Sequence, residues 1–179
     1  MTRSEAVLRL KRTAVVAVPG GQTHVEVGKT IRLMGDALGP QIEYTVRNSG
    51  ATFLEVIFAV EFNLAMLAGS DPSRYYRLPS EPQAGLLADK KVFENLRELA
   101  VVDEWLGLEA VLTCSEPAQV WAYPIETVSQ SESGFELVFQ SASVTPRWAL
   151  KVPPGETWRV TLGHEICPRG QTPVDNGTL

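Results

Sequence analysis

Two pairs of side chains in this sequence, each spaced by two, carry the chemistry needed to hold a sugar: Trp121 with Tyr123, and Glu61 with Asn63. An aromatic ring offers its negative face to the weakly positive axial C–H bonds of a pyranose. A carboxylate and an amide beside it accept and donate hydrogen bonds to hydroxyls. A spacing of two puts both members of a pair on one face of a strand. By the same alternation Trp121 and Tyr123 face the way of Gln119, which implies partial exposure, whereas Trp158 runs with Val160 and Leu162 and reads as core. Tryptophans are also common fillers of β cores, and taken singly each of Trp105, Trp121, Trp148 and Trp158 is expected to pack inside. For Glu61 the corresponding expectation is an ordinary paired or solvent-facing carboxylate.

Other chemistry is sparse. The chain has no GxGxxG, GxxxxGK[ST], GxSxG or HExxH string, so phosphate cradles, nucleophile elbows and zinc-protease helices have no signature. Of the two histidines, His24 and His164, neither is marked out as the base of a triad. His164 and Cys167 are metal-capable and three apart, but a zinc site needs three or four ligands; a strand end and a buried thiol are expected instead. A glycosidase needs two carboxylates facing each other across a bond, which spacing alone does not reveal in a β protein. No catalytic residue, metal or cofactor is assigned.

Charge and composition narrow the partners. With 16 Lys+Arg against 21 Asp+Glu the net charge is −5, which argues against nucleic acid, where cations neutralise phosphates. The most apolar stretch, 53–67, contains Glu55, Glu61 and Asn63, too short and too charged to cross a membrane. Arg3, Arg9, Lys11 and Arg12 interleave with apolar residues and give no signal-peptide pattern. Two cysteines without CxxC spacing, Cys114 and Cys167, read as buried reduced thiols of a cytoplasmic protein.

The elements that must position these residues follow period two. Leu8/Leu10, Val25/Val27, Ile31/Leu33 and Ile42/Tyr44/Val46 alternate with polar residues, each a half-buried strand. Residues 53–67 carry an unbroken apolar face from Leu54 to Met66 and are expected to form one long strand. Residues 68–98 are the least regular, with a short helix over 89–99 suggested by Val92, Phe93 and Leu96. Strands are expected again at 99–102, 106–114, 119–125, 135–141, 148–152 and 157–166, separated by Glu116-Pro117, Ser133-Gly134 and Pro153-Pro154-Gly155. Many strands, short turns and almost no helix describe an all-β antiparallel sandwich. One domain over residues 1–167 and a disordered tail over 168–179 are expected.

Three blocks add a resemblance: VEFNLAMLAG at 60–69, VDEWLGL at 102–108 and VWAYPIETVSQSESGFELVFQ at 120–140. Together, in order and spacing, they resemble the C-terminal domain of alpha-amylase/4-alpha-glucanotransferase enzymes of glycoside hydrolase family 57. The resemblance implies a large antiparallel β-sandwich of the galactose-mutarotase-like type, packed on a catalytic (β/α) barrel. It places the nucleophile and acid/base in that barrel, so none of the family's catalytic residues falls on this chain. The expected role is a non-catalytic accessory domain whose partners are the barrel and α-glucan, with Trp121, Tyr123, Glu61 and Asn63 as the sugar contacts. Two other classes compete: a small epimerase-like enzyme using Glu61 as base, and a purely structural module presenting an apolar patch.

Overall fold

The computed structural model describes residues 4–35, 37–131 and 134–170. Among them are ten strands and no helix: β1 (Glu5–Val18), β2 (Gly21–Met34), β3 (Gln41–Asn48), β4 (Leu54–Ala59), β5 (Phe62–Leu64), β6 (Arg74–Arg77), β7 (Lys91–Asp103), β8 (Leu108–Ser131), β9 (Gly134–Val152) and β10 (Thr157–Pro168). One layer runs β1-β2-β3-β10-β8-β7-β6. The second is made by β9, which pairs with β8 on one edge and with β4 and β5 on the other. All of these pairings are antiparallel.

The layers are joined by strands that belong to both. β8 pairs with β10 only as far as Cys114 and with β9 from Gln119 onward. Glu116-Pro117, expected to be a turn between two strands, lies inside this single strand at the point where it changes layer. Pro117 has no N–H to give a ladder, which suits it to a corner where neither neighbour asks for one. β7 turns the same corner through register shifts between Phe93 and Glu98, with Asn95 at φ 57°. Such bulges let a strand bend from one sheet into another.

The expected helix over 89–99 is therefore wrong, and the bulge explains the misleading signal. The inserted residue lets Phe93 and Leu96, three apart, both pack on the core, which imitates helical spacing. The expected strand over 53–67 is split into β4 and β5. Both halves keep one register against β9, Ala59 opposite Arg147 and Phe62 opposite Val144. Between them Val60 donates its N–H to Pro146 O at 3.1 Å, but Pro146 has no N–H to return. The ladder lapses there while the apolar face from Leu54 to Met66 continues unbroken against the core. The irregular stretch 68–98 holds β6 and the start of β7.

The interior is aromatic where the layers meet. Phe58 of the second layer lies 5.5 Å from Tyr44 and 5.7 Å from Trp158 of the first, and Trp148 lies 5.4 Å from Trp158. Asn48, fully buried, rivets the layers. Its Nδ2 donates to Thr52 O at 2.7 Å and Val152 O at 2.9 Å, and its Oδ1 accepts from Gly50 N and Thr23 Oγ1. Cys114 sits in the main core, where burial pushes its thiol up to about 12. Cys167 lies on the opposite face with Ala100 and Val111. β10 continues through Pro168, one residue past the expected domain end, and most of the expected tail, 171–179, lies outside the described residues.

Candidate functional site

Backbone register decides whether the four candidate residues meet. Tyr123 of β8 lies opposite Ser143 of β9, and Ser143 lies opposite Asn63 of β5. Trp121 lies opposite Thr145 in the next row of the same face. The register shared by β4 and β5 sets Glu61 at the other end of that row. Directly opposed residues of an antiparallel ladder point the same way. All four are thus gathered on the face of the second layer turned away from the core, spread over three strands and about 10 Å.

Small hydroxyls floor this face. Ser143 and Thr145 are 0% and 9% exposed although they point outward, and their hydroxyls lie 3.3 Å apart. Short side chains between longer neighbours are screened from water, so a ligand meets the rim rather than the floor. On the rim Trp121 is 42% exposed, Tyr123 half-buried, and Glu61 and Asn63 exposed. The indole is held in place: Trp121 Nε1 donates to Gln119 Oε1 at 3.1 Å, and Gln119 Nε2 donates to Glu94 Oε1 at 2.7 Å. Arg147, opposite Gln119 in the ladder, sets its guanidinium 4.1 Å from the Trp121 ring centroid. That cation–π contact occupies one ring face and leaves the remainder of the exposed ring for a ligand.

Arg147 and Gln119 were not among the candidates. The only signal for them is that two residues on separate strands fall opposite each other, which requires the register. The arrangement suits recognition: an oriented aromatic ring, a phenol, an amide and a carboxylate, all on one open surface. It does not resemble an acid–base pair. Glu61 is exposed, and the histidines are on β2 and β10 of the other layer. His164 faces inward with its ring 5.5 Å from Phe62, and desolvation lowers its pKa. Cys167, three residues on, projects from the other face of β10, so the two do not converge on a metal.

The tryptophans divide evenly. Trp148 is buried and Trp158 packs against the core. Trp121 and Trp105, expected inside when taken singly, are 42% and 70% exposed. Both stand where a strand's outward face or a turn meets water.

Comparison with known proteins places this geometry. The family described as alpha-amylase/4-alpha-glucanotransferase, C-terminal, matches residues 1–162. The chain belongs to this family. It is 30% identical over 142 residues to alpha-amylase 1 of Dictyoglomus thermophilum, a match that covers 76% of this chain and 19% of that protein. It is similar in fold to the 4-alpha-glucanotransferase of Thermococcus litoralis, with a TM-score of 0.66 and 23% identity over 91% of this chain and 22% of that one. A galactose mutarotase-like protein from Clostridium acetobutylicum shares the fold at a TM-score of 0.59 and 10% identity, over 94% of this chain and 65% of that one. The chain thus has the fold of an all-β sandwich of the mutarotase-like type. The chain spans about a fifth of the length of the amylase and glucanotransferase it matches.

Proposed function

We propose that this family member serves as the non-catalytic accessory domain of a cytoplasmic α-glucan-processing enzyme of the glycoside hydrolase family 57 kind. It packs on a catalytic (β/α) barrel and presents Trp121, Tyr123, Glu61 and Asn63 to α-glucan. The observation that carries this reading is the family match over 1–162 to proteins of which the matched part is only 19% or 22%. Two features of the surface support it. The four sugar-competent side chains share one open face, as described above. The β8–β9 hairpin also projects beyond its neighbours, with Val128, Phe135 and Leu137 at 67%, 78% and 65% exposure. Apolar surface of that kind marks a contact with another protein surface.

The test uses the purified chain in two assays. In the first, incubation with maltoheptaose should give no hydrolysis or transfer product above a no-protein control. In the second, migration through a native gel containing glycogen should be retarded, and the retardation reduced in the Trp121→Ala/Tyr123→Ala variant. Product formation abolished by Glu61→Gln would replace this reading with the enzyme. Unretarded migration at every glycogen concentration would leave only the packing role.

A further inference from the structure

Trp105 raises a separate question, because a tryptophan 70% exposed to water sits on a turn held by several buried or half-buried hydrogen bonds and ion pairs. The turn joins β7 to β8. Asp103, with no exposed surface, accepts from Leu106 N at 2.9 Å and from Arg74 Nε at 2.8 Å. Glu104 accepts from Tyr75 Oη at 2.9 Å and pairs with Arg169 at 2.6 Å. Arg169 N in turn donates to Gly107 O at 2.8 Å. An exposed apolar ring needs no such bracing for its own sake, since leaving it mobile in water would cost less order.

Segment 67–73, which supplies Leu67, Asp71 and Ser73 to the side opposite the indole, is also held in place. Gly69 is packed so closely under Phe139 that a Cβ there would come within 2.5 Å of the ring, and its carbonyl accepts from Ala88 N at 2.9 Å. Asp71 Oδ1 accepts from Ser73 N at 2.9 Å and from Ser73 Oγ at 2.6 Å. These bonds orient Asp71 Oδ2, which lies 3.5 Å from Arg74 and is otherwise open to the cleft. Leu67, 74% exposed, provides an apolar edge. Between Leu67, Asp71, Ser73, Arg74 and Trp105 lies a cleft of ≈ 190 Å³.

We propose that this cleft is a second carbohydrate subsite, taking one pyranose unit of an α-glucan chain. The apolar face of the ring stacks on the part of the Trp105 indole that Arg74, whose guanidinium lies 6.0 Å over the ring centroid, leaves uncovered, and a pair of neighbouring hydroxyls donates to the carboxylate of Asp71. The choice of α-glucan rests on the function proposed above; the choice of a neutral sugar rests on the cleft. Arg74 is already paired with Asp103 and Asp71, so an anionic ligand finds no spare cation there. A longer chain would lay one unit against Trp105 and leave its other units in water.

The test is fluorine NMR of the full chain labelled with 5-fluorotryptophan, its four signals assigned by single Trp→Phe substitutions, with maltoheptaose as the probe. The Trp105 signal should shift saturably at about millimolar concentration. In Asp71→Asn, which keeps an acceptor for Ser73, the midpoint should rise about fivefold or more. An unmoved Trp148 signal in that variant shows the core intact. A Trp105 signal that stays still while Trp121 moves overturns the subsite and leaves the proposed glucan contact standing. Movement of Trp105 with Trp121 still supports the subsite and refutes the open face. If neither moves, both glucan contacts fall. A midpoint unchanged by Asp71→Asn removes Asp71 from the site and overturns the proposal as stated.

Discussion

Replacing Asp103 by Asn keeps the shape of the side chain and removes one charge from the least exposed ion pair described in the molecule. In the native protein Asp103 is 0% and Arg74 5% exposed, and Asp103 Oδ2 accepts from Arg74 Nε at 2.8 Å. An asparagine can still accept from Leu106 N, but its amide then points a donor at a donor. Stranding a buried charge in this way costs about 3–5 kcal/mol. Asp71 Oδ2 at 3.5 Å from Arg74 remains as a half-exposed partial partner, which puts the loss at the lower end, about 3 kcal/mol. Against a domain stability of about 5–15 kcal/mol that is a large fraction. Urea unfolding at pH 7, followed by far-ultraviolet circular dichroism, measures it directly. A second arm comes from pH. Burial pushes the Asp103 carboxyl up, but hydrogen bonds from Leu106 N–H and Arg74, with the Arg74 charge, outweigh it and hold it below 3.8. Its contribution is therefore complete above the unfolded value of 3.8 and is lost as pH falls below that through the folded value. The gap between Asp103→Asn and the native chain should close in the same range. A loss below about 1 kcal/mol at pH 7, the scale of a surface pair, or a gap that persists unchanged in acid, would refute the reasoning.

Asn48→Ala removes a side chain whose two donors and two acceptances are all used inside the protein, and should lower the urea-derived stability by about 2–4 kcal/mol. His164 titrates with the opposite charge change: its folded pKa is depressed from 6.5 by desolvation, so stability should be full above pH 6.5 and decline as pH falls through the folded value. His164→Phe should flatten that part of a thermal-stability profile without altering the steeper loss in stronger acid. On the open face, Trp121→Ala should weaken glycogen retardation while Arg147→Ala, which uncovers a ring face, should leave it unchanged or strengthen it. Any affinity there should be no tighter than about millimolar, near −4 kcal/mol.

Several features were legible because they depend only on residue order. Alternation in Ile42/Tyr44/Val46 and in Val160/Leu162 gives inward faces that do line the core, since a strand turns its side chains by half a turn per residue whatever it pairs with. Pro153-Pro154-Gly155 forms its turn, with Gly155 at φ 81°, because the positive φ is a property of the glycine itself. The blocks 60–69, 102–108 and 120–140 carried the family, and with it the sandwich.

Other features needed partners. Whether 53–67 is one strand or two depended on Pro146, eighty and more residues away, which withholds a single N–H. Whether Glu116-Pro117 is a turn or a corner depended on β10 and β9 taking opposite ends of β8. Spacing of three between Phe93 and Leu96 means helix or bulge according to what lies alongside. The same holds for function. Each pair, Trp121/Tyr123 and Glu61/Asn63, could be placed on one strand face from its own sequence, but only β9 standing between β8 and β5 brings the pairs together. Exposure was undecidable locally, since Trp105 and Trp148 are chemically identical and one lies in water while the other fills the core. A side chain's type and parity are written in the chain; what lies opposite it, and whether water reaches it, is set by long-range pairing between strands.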